Sequence, residues 1–217
     1  MSLHKLQNAL VEKILTEPAR RKLSNQVSAY EINCDLDSDE EAWLNMLGDT
    51  TGFKVTCDIQ QWWRSARLKI ATPLTLRMLS RLKLDYLLEE YQACVPCTTL
   101  FFAAEAIAFK DFLLAHYPGE KQLVSVVEFE CALKIAHEHQ YFSSCDMQSS
   151  KKLNMDDLII APATEFVAFY SKPVDLLYAL LANAPLPVIE DKEITLIVSP
   201  FITGYWTIID YERMTKQ

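Results

Sequence analysis

EFVAFYSKPVDLLYALLANAPLPVIEDKEITLIVSPFITGYWTIID, residues 165–210, decides the fold class because its periodicity differs from that of the chain before it. Residues 165–171, 193–199 and 204–210 alternate with β-branched and aromatic side chains, a pattern that predicts three strands. The last two strands are close enough to form a hairpin around PFITG. Residues 174–183, opened by Pro173 and Asp175, are predicted to form a helix. The C-terminal part is therefore expected to be β-α-β-β.

The chain before this part carries apolar residues at helical spacing. A first helix begins near Leu3 and is expected to stop near Thr16, because Pro18 disfavours helical geometry in the residue before it. Thr72 and Pro73 fit the N-cap and first position of a later helix. Residues 52–58 are predicted to be irregular, and Gly48 is expected to end a short helix. The main further helices are predicted at 59–71, 73–91, 100–116 and 122–140.

The polar stretch 143–152, SSCDMQSSKK, is predicted to be a linker or loop between two domains. We therefore expect an α+β protein with a helical domain, residues 1–142, followed by a small peptide-binding domain, residues 153–217. The second domain is expected to hold a three-stranded antiparallel sheet and one helix. So small a sheet leaves its edges exposed unless something covers them.

Composition excludes several classes of protein. The chain has four glycines among 217 residues and no GxGxxG or P-loop pattern, which argues against nucleotide binding. The net charge of −8 disfavours nucleic-acid binding, which needs a positive field. The N-terminus does not resemble a signal peptide, and no apolar run approaches the ~20 residues that span a bilayer. A cytoplasmic protein with no membrane partner and with reduced cysteines is expected.

A cysteine pair and an acidic stretch are two candidate sites of chemistry in the sequence. The Cys94-Val95-Pro96-Cys97 motif is typical of disulfide oxidoreductases, but no strand is predicted before it, and a helix corner with two buried thiols is the alternative. One CxxC could also form half of a zinc site, although no second pair of ligands lies nearby in sequence. Residues 35–46 begin like a calcium loop, but Glu40 and Met46 occupy the positions that require glycine and glutamate.

Glu130, Leu133 and His137 share one face of a predicted helix, with Glu128 and Glu138 close by. A carboxylate beside an imidazole suggests acid–base chemistry, and a polar network at a helix interface is the alternative. No nucleophile occupies a recognisable elbow, so no catalytic residue and no metal ligand is predicted in this chain.

Residues 62–84 carry six basic residues and no acid, beginning with Trp62-Trp63-Arg64. Adjacent tryptophans on a helix point about 100° apart, so either both lie in a deeply buried helix or one of them anchors an interface. The basic residues are expected to form a solvated helix face paired with the protein's own acidic loop, residues 31–41, or to meet an acidic partner. A helical DNA-binding or regulatory protein that uses residues 64–83 is the alternative functional hypothesis.

Several segments together resemble one family. They are LQNALVEKIL (6–15), TPLTLRMLSRL (72–82), FFAAEAIAFKDFLLAHYP (101–118), VVEFECALKIA (126–136), IIAPATEFVAFYSKPVDLLYALLANAPLPVI (159–189) and ITLIVSPFITGYWTIIDYE (194–212). In this order they are similar to the HvfC/MbnC-like family of partner proteins, whose narrower branch serves methanobactin biosynthesis. The resemblance spans nearly the whole chain, and its more specific features are Glu130 within EFECAL and the strand-helix-strand tail.

The resemblance implies a non-catalytic subunit of a heterodimer. Its partner would be an MbnB-like TIM-barrel oxidase, which holds the iron and converts cysteines of a ribosomal precursor peptide to oxazolone and thioamide groups, giving a copper chelator. This chain would stabilise the complex and bind the leader segment of the peptide by strand addition. The expected peptide-binding residues are Phe166, Val167, Phe169, Tyr170, Ile194, Leu196, Val198, Tyr205 and Trp206. The expected partner interface is Trp62, Trp63, Arg64 and Arg67.

Overall fold

A computed structural model of the chain describes residues 3–23, 36–95, 101–143 and 160–209. The helices in these ranges are α1 (Leu3–Leu23), α2 (Ser38–Asp49), α3 (Thr51–Ala71), α4 (Pro73–Leu82), α5 (Tyr86–Cys94), α6 (Phe102–His116), α7 (Lys121–Ser143) and α8 (Pro173–Ala182). The strands are β1 (Glu165–Phe169), β2 (Ile194–Val198) and β3 (Trp206–Ile208). The predicted α+β class is confirmed, with helices first and a small antiparallel sheet after them.

Three predicted helix boundaries are wrong, and a fourth predicted helix is divided in two. Helix α1 continues past Pro18 to Leu23, and the good helix formers that follow the proline favour this continuation. The stretch predicted to be irregular is the start of α3, because the Thr50 hydroxyl accepts a hydrogen bond from the Phe53 amide and caps the helix. Gly48 lies inside α2 and does not end it.

The single helix predicted over 73–91 is two helices, α4 and α5. Lys83 adopts a left-handed conformation with φ 61°. The Leu84 amide donates to the Leu79 carbonyl across 2.8 Å, which is the hydrogen bond of a Schellman motif. The chain therefore turns after α4 although no glycine marks the position.

The chain forms two compact units: Met1–Arg67 with Tyr86–Leu100, and Leu68–Asp85 with Phe101–Gln217. In the first unit, α1 packs against α2 and α5. The Lys13 ammonium donates to the Asn45 side chain across 2.9 Å, and its aliphatic stem covers Gly48. A Cβ at Gly48 would lie 2.6 Å from that stem, so this helical glycine permits the close packing.

In the second unit, α7 is central and packs against α4, α6, β1 and β2. The strand order is β1-β2-β3, and both pairs are antiparallel. The predicted hairpin is therefore confirmed. The Phe129 ring of α7 makes edge contacts with Phe169 and Trp206, with ring centroids 5.9 and 5.8 Å apart. The predicted linker, residues 143–152, begins at the last residue of α7 and otherwise lies outside the described residues.

Candidate binding sites

Strand β1 is an open edge of the sheet within the described part of the chain, since it pairs on one side with β2. The amide of Ile209 donates to the Thr195 carbonyl, so Thr195 directs its backbone groups toward β3. In an antiparallel ladder this direction alternates, so Ile194, Leu196 and Val198 bond to β1. Their register partners are Phe169, Val167 and Glu165.

The backbone groups of Phe166 and Ala168 consequently point away from the sheet. No hydrogen-bond partner for them is found among the described residues. Beyond them, the Tyr170 carbonyl accepts from the Glu190 amide across 2.6 Å. The open edge is therefore a short stretch centred on Phe166 and Ala168.

The predicted peptide-binding residues of β1 and β2 differ in how far their side chains are exposed. Val167, Phe169, Leu196 and Val198 are fully buried and belong to the core, so their side chains do not face solvent. Ile194 is partly buried, and Tyr170 lies under the Lys121 ammonium at 4.6 Å from its ring centroid. Phe166, by contrast, is 45% exposed. The backbone groups at these buried positions bond between β1 and β2, so these four residues offer a bound peptide neither side chain nor backbone.

Trp206 begins β3 and Tyr205 immediately precedes it, on the opposite side of the sheet order from β1. The Tyr205 hydroxyl donates to the Gln140 side chain, and its ring packs against His137. Trp206 packs against Phe129. Both side chains therefore hold the sheet on α7, and they do not line the β1 edge.

Helix α3 carries an exposed apolar stripe made of Val55, Ile59, Trp62 and Trp63, hereafter the α3 stripe. Trp62 is 62% exposed and Trp63 is 51% exposed, so the alternative that both lie in the core is wrong. Their ring centroids are 4.9 Å apart in an edge-on arrangement. Large aromatic side chains exposed side by side are typical of surfaces that bind another protein.

Arg64 and Arg67 do not belong to that exposed surface, contrary to the prediction. Both are buried, with Arg64 only 4% exposed. The Arg64 guanidinium donates to the Gln92 carbonyl across 3.2 Å and stacks over the Tyr91 ring at 4.9 Å. These two contacts attach α3 to α5 and partly offset the cost of burying the guanidinium charge.

Two acids of α7 cap helices that lack caps of their own. Neither Thr72 nor Phe101, the N-cap residues of α4 and α6, makes a side-chain capping bond. Glu130 accepts from the Leu74 amide at 2.8 Å and from the Thr75 amide and hydroxyl at 2.7 Å each. Glu138 accepts from the Ala103 amide at 2.8 Å. Of the two hypotheses for these acids, the geometry favours the polar network.

The environment of Glu130 also shifts its titration. Burial raises the pKa of Glu130 to about 7, while hydrogen bonds from Leu74 and Thr75 and the charge of Lys134 act in the opposite direction. Burial likewise raises the pKa of Glu128, against the nearby charge of Lys110. Burial raises the pKa of the Cys131 thiol to about 12, so this cysteine is a poor nucleophile.

A cavity of about 410 Å³ lies beside Glu130. Apolar side chains form most of its wall, among them Leu74, Leu133 and Leu181. Its polar lining residues are Arg77, Glu130, Lys134 and His137. The sequence places Glu130, Leu133 and His137 on one helix face, and the cavity confirms that they share it. Sequence reasoning did not find Arg77 of α4 and Leu181 of α8 as lining residues, because nothing local in the sequence connects either of them to α7.

Two arginines of the basic stretch cap the C-terminus of α8. Arg77 donates to the carbonyls of Leu180 and Leu181 at 3.2 Å each. Arg81 donates to the carbonyls of Ala184 at 2.5 Å and Ala179 at 3.1 Å, and to the Asn183 side chain at 2.7 Å. With Arg64 and Arg67 buried as well, four of the six cations between 62 and 84 have intramolecular roles.

The remaining chemical hypotheses are only partly covered by the structure. Cys94 is the last residue of α5 and is exposed, whereas Cys97 lies outside the described residues. In the described ranges, no three His, Cys, Asp or Glu side chains are grouped so as to hold a metal ion. Nor is any helix of these ranges long and apolar enough to cross a bilayer.

Comparisons with protein-family models, with curated proteins and with solved structures found no match to this chain.

Proposed function

We propose that this protein is a peptide-binding, non-catalytic subunit that acts with an MbnB-like iron oxidase on a cysteine-containing precursor peptide. In this proposal the iron and the oxidation chemistry belong to the partner, and this chain supplies recognition. The open β1 edge is the observation that carries the proposal. A backbone edge binds an extended peptide largely through its main chain, which suits a leader segment that is flexible before binding.

The β1 edge is better suited to capture a strand than the β3 edge. Strand β1 has five residues and β3 has three. The outward backbone groups of Phe166 and Ala168 lie on the same edge as the half-exposed Phe166 ring. A leader strand added there would bond to both residues and could place a side chain against that ring.

The resemblance of the sequence to the HvfC/MbnC-like family supports the identity of the partner. The α3 stripe supports the presence of a surface that contacts another protein. Partner recognition requires apolar surface that the free subunit leaves exposed. Trp62 and Trp63 supply such surface, and helix α3 presents it rigidly because Arg64 secures the helix to α5.

Proline scanning of the two sheet edges tests the proposal. Ala168→Pro removes one outward N–H of β1 and leaves the hydrogen bonds between β1 and β2 intact, since edge strands tolerate proline where the N–H faces away from the ladder. We expect a fluorescently labelled precursor peptide to bind this variant at least about tenfold more weakly, the loss that follows from one or two missing backbone hydrogen bonds. Fluorescence anisotropy with the co-purified oxidase complex is the measurement.

Ile208→Pro is the matched control on the opposite edge. Ile208 is half exposed and pairs with Leu196. Leu196 directs its backbone toward β1, so the Ile208 N–H points away from β2, as the Ala168 N–H does on the other edge. Peptide affinity should survive this change. Equal losses at both edges, or unchanged affinity in Ala168→Pro, would contradict capture at β1. Oxidation of the peptide by the purified chain without an oxidase would contradict the division of roles.

A further inference from the structure

The cavity between α4, α7 and α8 has the composition of a small-ligand site. Its volume of about 410 Å³ falls in the range of ~300–1,000 Å³ that is usual for such sites. Aliphatic side chains dominate the wall, and a few charged groups occupy defined positions on it. Glu130 caps α4 and Arg77 caps α8, so Lys134 is the charged group of this wall that these structural roles do not explain.

Arg77 is oriented on the wall by hydrogen bonds of its own. Arg77 uses one nitrogen, Nη1, for the two carbonyls at the end of α8, which fixes the plane of the guanidinium. Its other nitrogens make no hydrogen bond to the described residues. The exposed His137 ring packs against Tyr205, at 4.4 Å between centroids. Groups fixed before binding lose little conformational entropy when a ligand arrives.

The balance of charge selects the class of ligand. Arg77 and Lys134 contribute two positive charges, and Lys134 interacts electrostatically with Glu130. Lys134 makes no hydrogen bond to any described residue, so its ammonium is available to a ligand. The donors that the wall leaves for a ligand are the remaining guanidinium nitrogens of Arg77 and the Lys134 ammonium, which suit the two oxygens of a carboxylate, whereas a phosphate would need more N–H donors.

We infer that this cavity binds a monocarboxylate with an apolar body, whose carboxylate contacts Arg77 and Lys134 while its aliphatic part packs against Leu74, Leu133 and Leu181. Such a group occurs in two sources, a free carboxylic acid or a glutamate side chain next to a leucine in a peptide. The site is separate from peptide capture at the β1 edge, and neither depends on the other.

Isothermal titration calorimetry of the full-length chain with octanoate and with octanol tests the inference. Octanoate should bind at least about tenfold more tightly than octanol, the ratio expected for charge-assisted hydrogen bonds to Arg77 and Lys134. Equal affinities would overturn the inference, since the cavity would then select only for apolar volume. Absence of octanoate binding would overturn it as well. This comparison uses the wild-type chain and needs no variant to fold.

Lys134→Gln locates the site. We expect this variant to lose about tenfold in octanoate affinity and to keep its octanol affinity. Lys172→Gln removes the same charge from an exposed residue in front of α8 and should change neither. Octanoate affinity unaffected by Lys134→Gln would place the binding elsewhere and overturn the inference. Circular dichroism confirms that each variant is folded.

A third titration distinguishes the two sources of the carboxylate. The blocked dipeptide N-acetyl-leucyl-glutamate amide carries its only carboxylate on a side chain, and the glutamine analogue lacks it. Competition with octanoate by the glutamate peptide alone supports a peptide side chain as the occupant. Octanoate binding without competition supports a free carboxylic acid. Competition by both peptides to the same extent would overturn the role of the charge.

Discussion

Glu130 links a single residue to the architecture of the second unit. Its carboxylate takes the place of an N-cap side chain for α4, which Thr72 does not provide because its hydroxyl donates to the Leu68 carbonyl instead. The free N–H groups at a helix start cost stability when they are buried without acceptors. One residue of α7 therefore both completes α4 and holds the two helices together.

The raised pKa of Glu130 predicts a specific pH dependence of stability. The ordinary value of 4.5 applies to the unfolded chain and about 7 to the folded one, so the folded state binds more protons between these values. The free energy of unfolding, measured relative to that of Glu130→Gln, should therefore be largest below pH 4.5. It should fall by about 3 kcal/mol as the pH rises through 7.

Urea unfolding of both proteins from pH 4.5 to pH 8 measures this difference. Glu120→Gln makes the same change of charge at an exposed residue just before α7 and serves as the matched control. A difference between wild type and Glu130→Gln that stays level, or grows as the pH rises, would mean that Glu130 is ionised in the folded protein throughout.

At the scale of the element, helix α8 depends on residues far from it in sequence. Its C-terminal carbonyls accept hydrogen bonds from Arg77 and Arg81 of α4, which lie about a hundred positions earlier in the sequence. A positive charge at a helix C-terminus also interacts favourably with the helix dipole. The basic residues that the sequence offered as a surface for an acidic partner thus join two elements of one unit.

Arg81→Gln should lower the free energy of unfolding by about 1–3 kcal/mol, because three hydrogen bonds to the end of α8 involve this guanidinium. Lys83→Gln, two positions further on, removes an equal charge from an exposed residue and should cost far less. Chemical denaturation measures both. If the two variants were equally stable, the arginine contacts would not hold α8 in place.

Elements could be predicted from the sequence wherever their signals are local. Alternation revealed the three strands, and Thr72-Pro73 marked the start of α4. The failures are positions where the decisive partner is distant or the signal is weak. Glu130 bonds to Thr75, 55 positions away, and Lys83 forms a left-handed turn that normally takes glycine. Periodicity likewise predicted a helix containing Trp63 and Arg64 without telling which of them faces outward.

At the scale of the whole molecule, the proposed recognition surfaces lie in both compact units. The second unit contains the β1 edge and the cavity, and the first contains the α3 stripe. Each surface has an internal support: α7 beneath the sheet, and Arg64 with Tyr91 beneath α3. An exposed surface on a firmly packed element can bind without first becoming ordered, which reduces the entropy lost on association.

The α3 stripe should therefore be dispensable for folding and required for assembly. Replacing both Trp62 and Trp63 by serine should leave the melting temperature within about 2 °C, since exposed side chains contribute little to stability. Affinity for an MbnB-like oxidase should fall at least about 30-fold, the loss typical of aromatic residues central to an interface. Tyr178→Ser, at a similarly exposed aromatic residue of α8, is the control and should retain affinity. Light scattering coupled to size-exclusion chromatography, followed by calorimetry, measures assembly. A double variant that still forms the complex would remove α3 from the interface, and one that melts early would make the tryptophans structural residues.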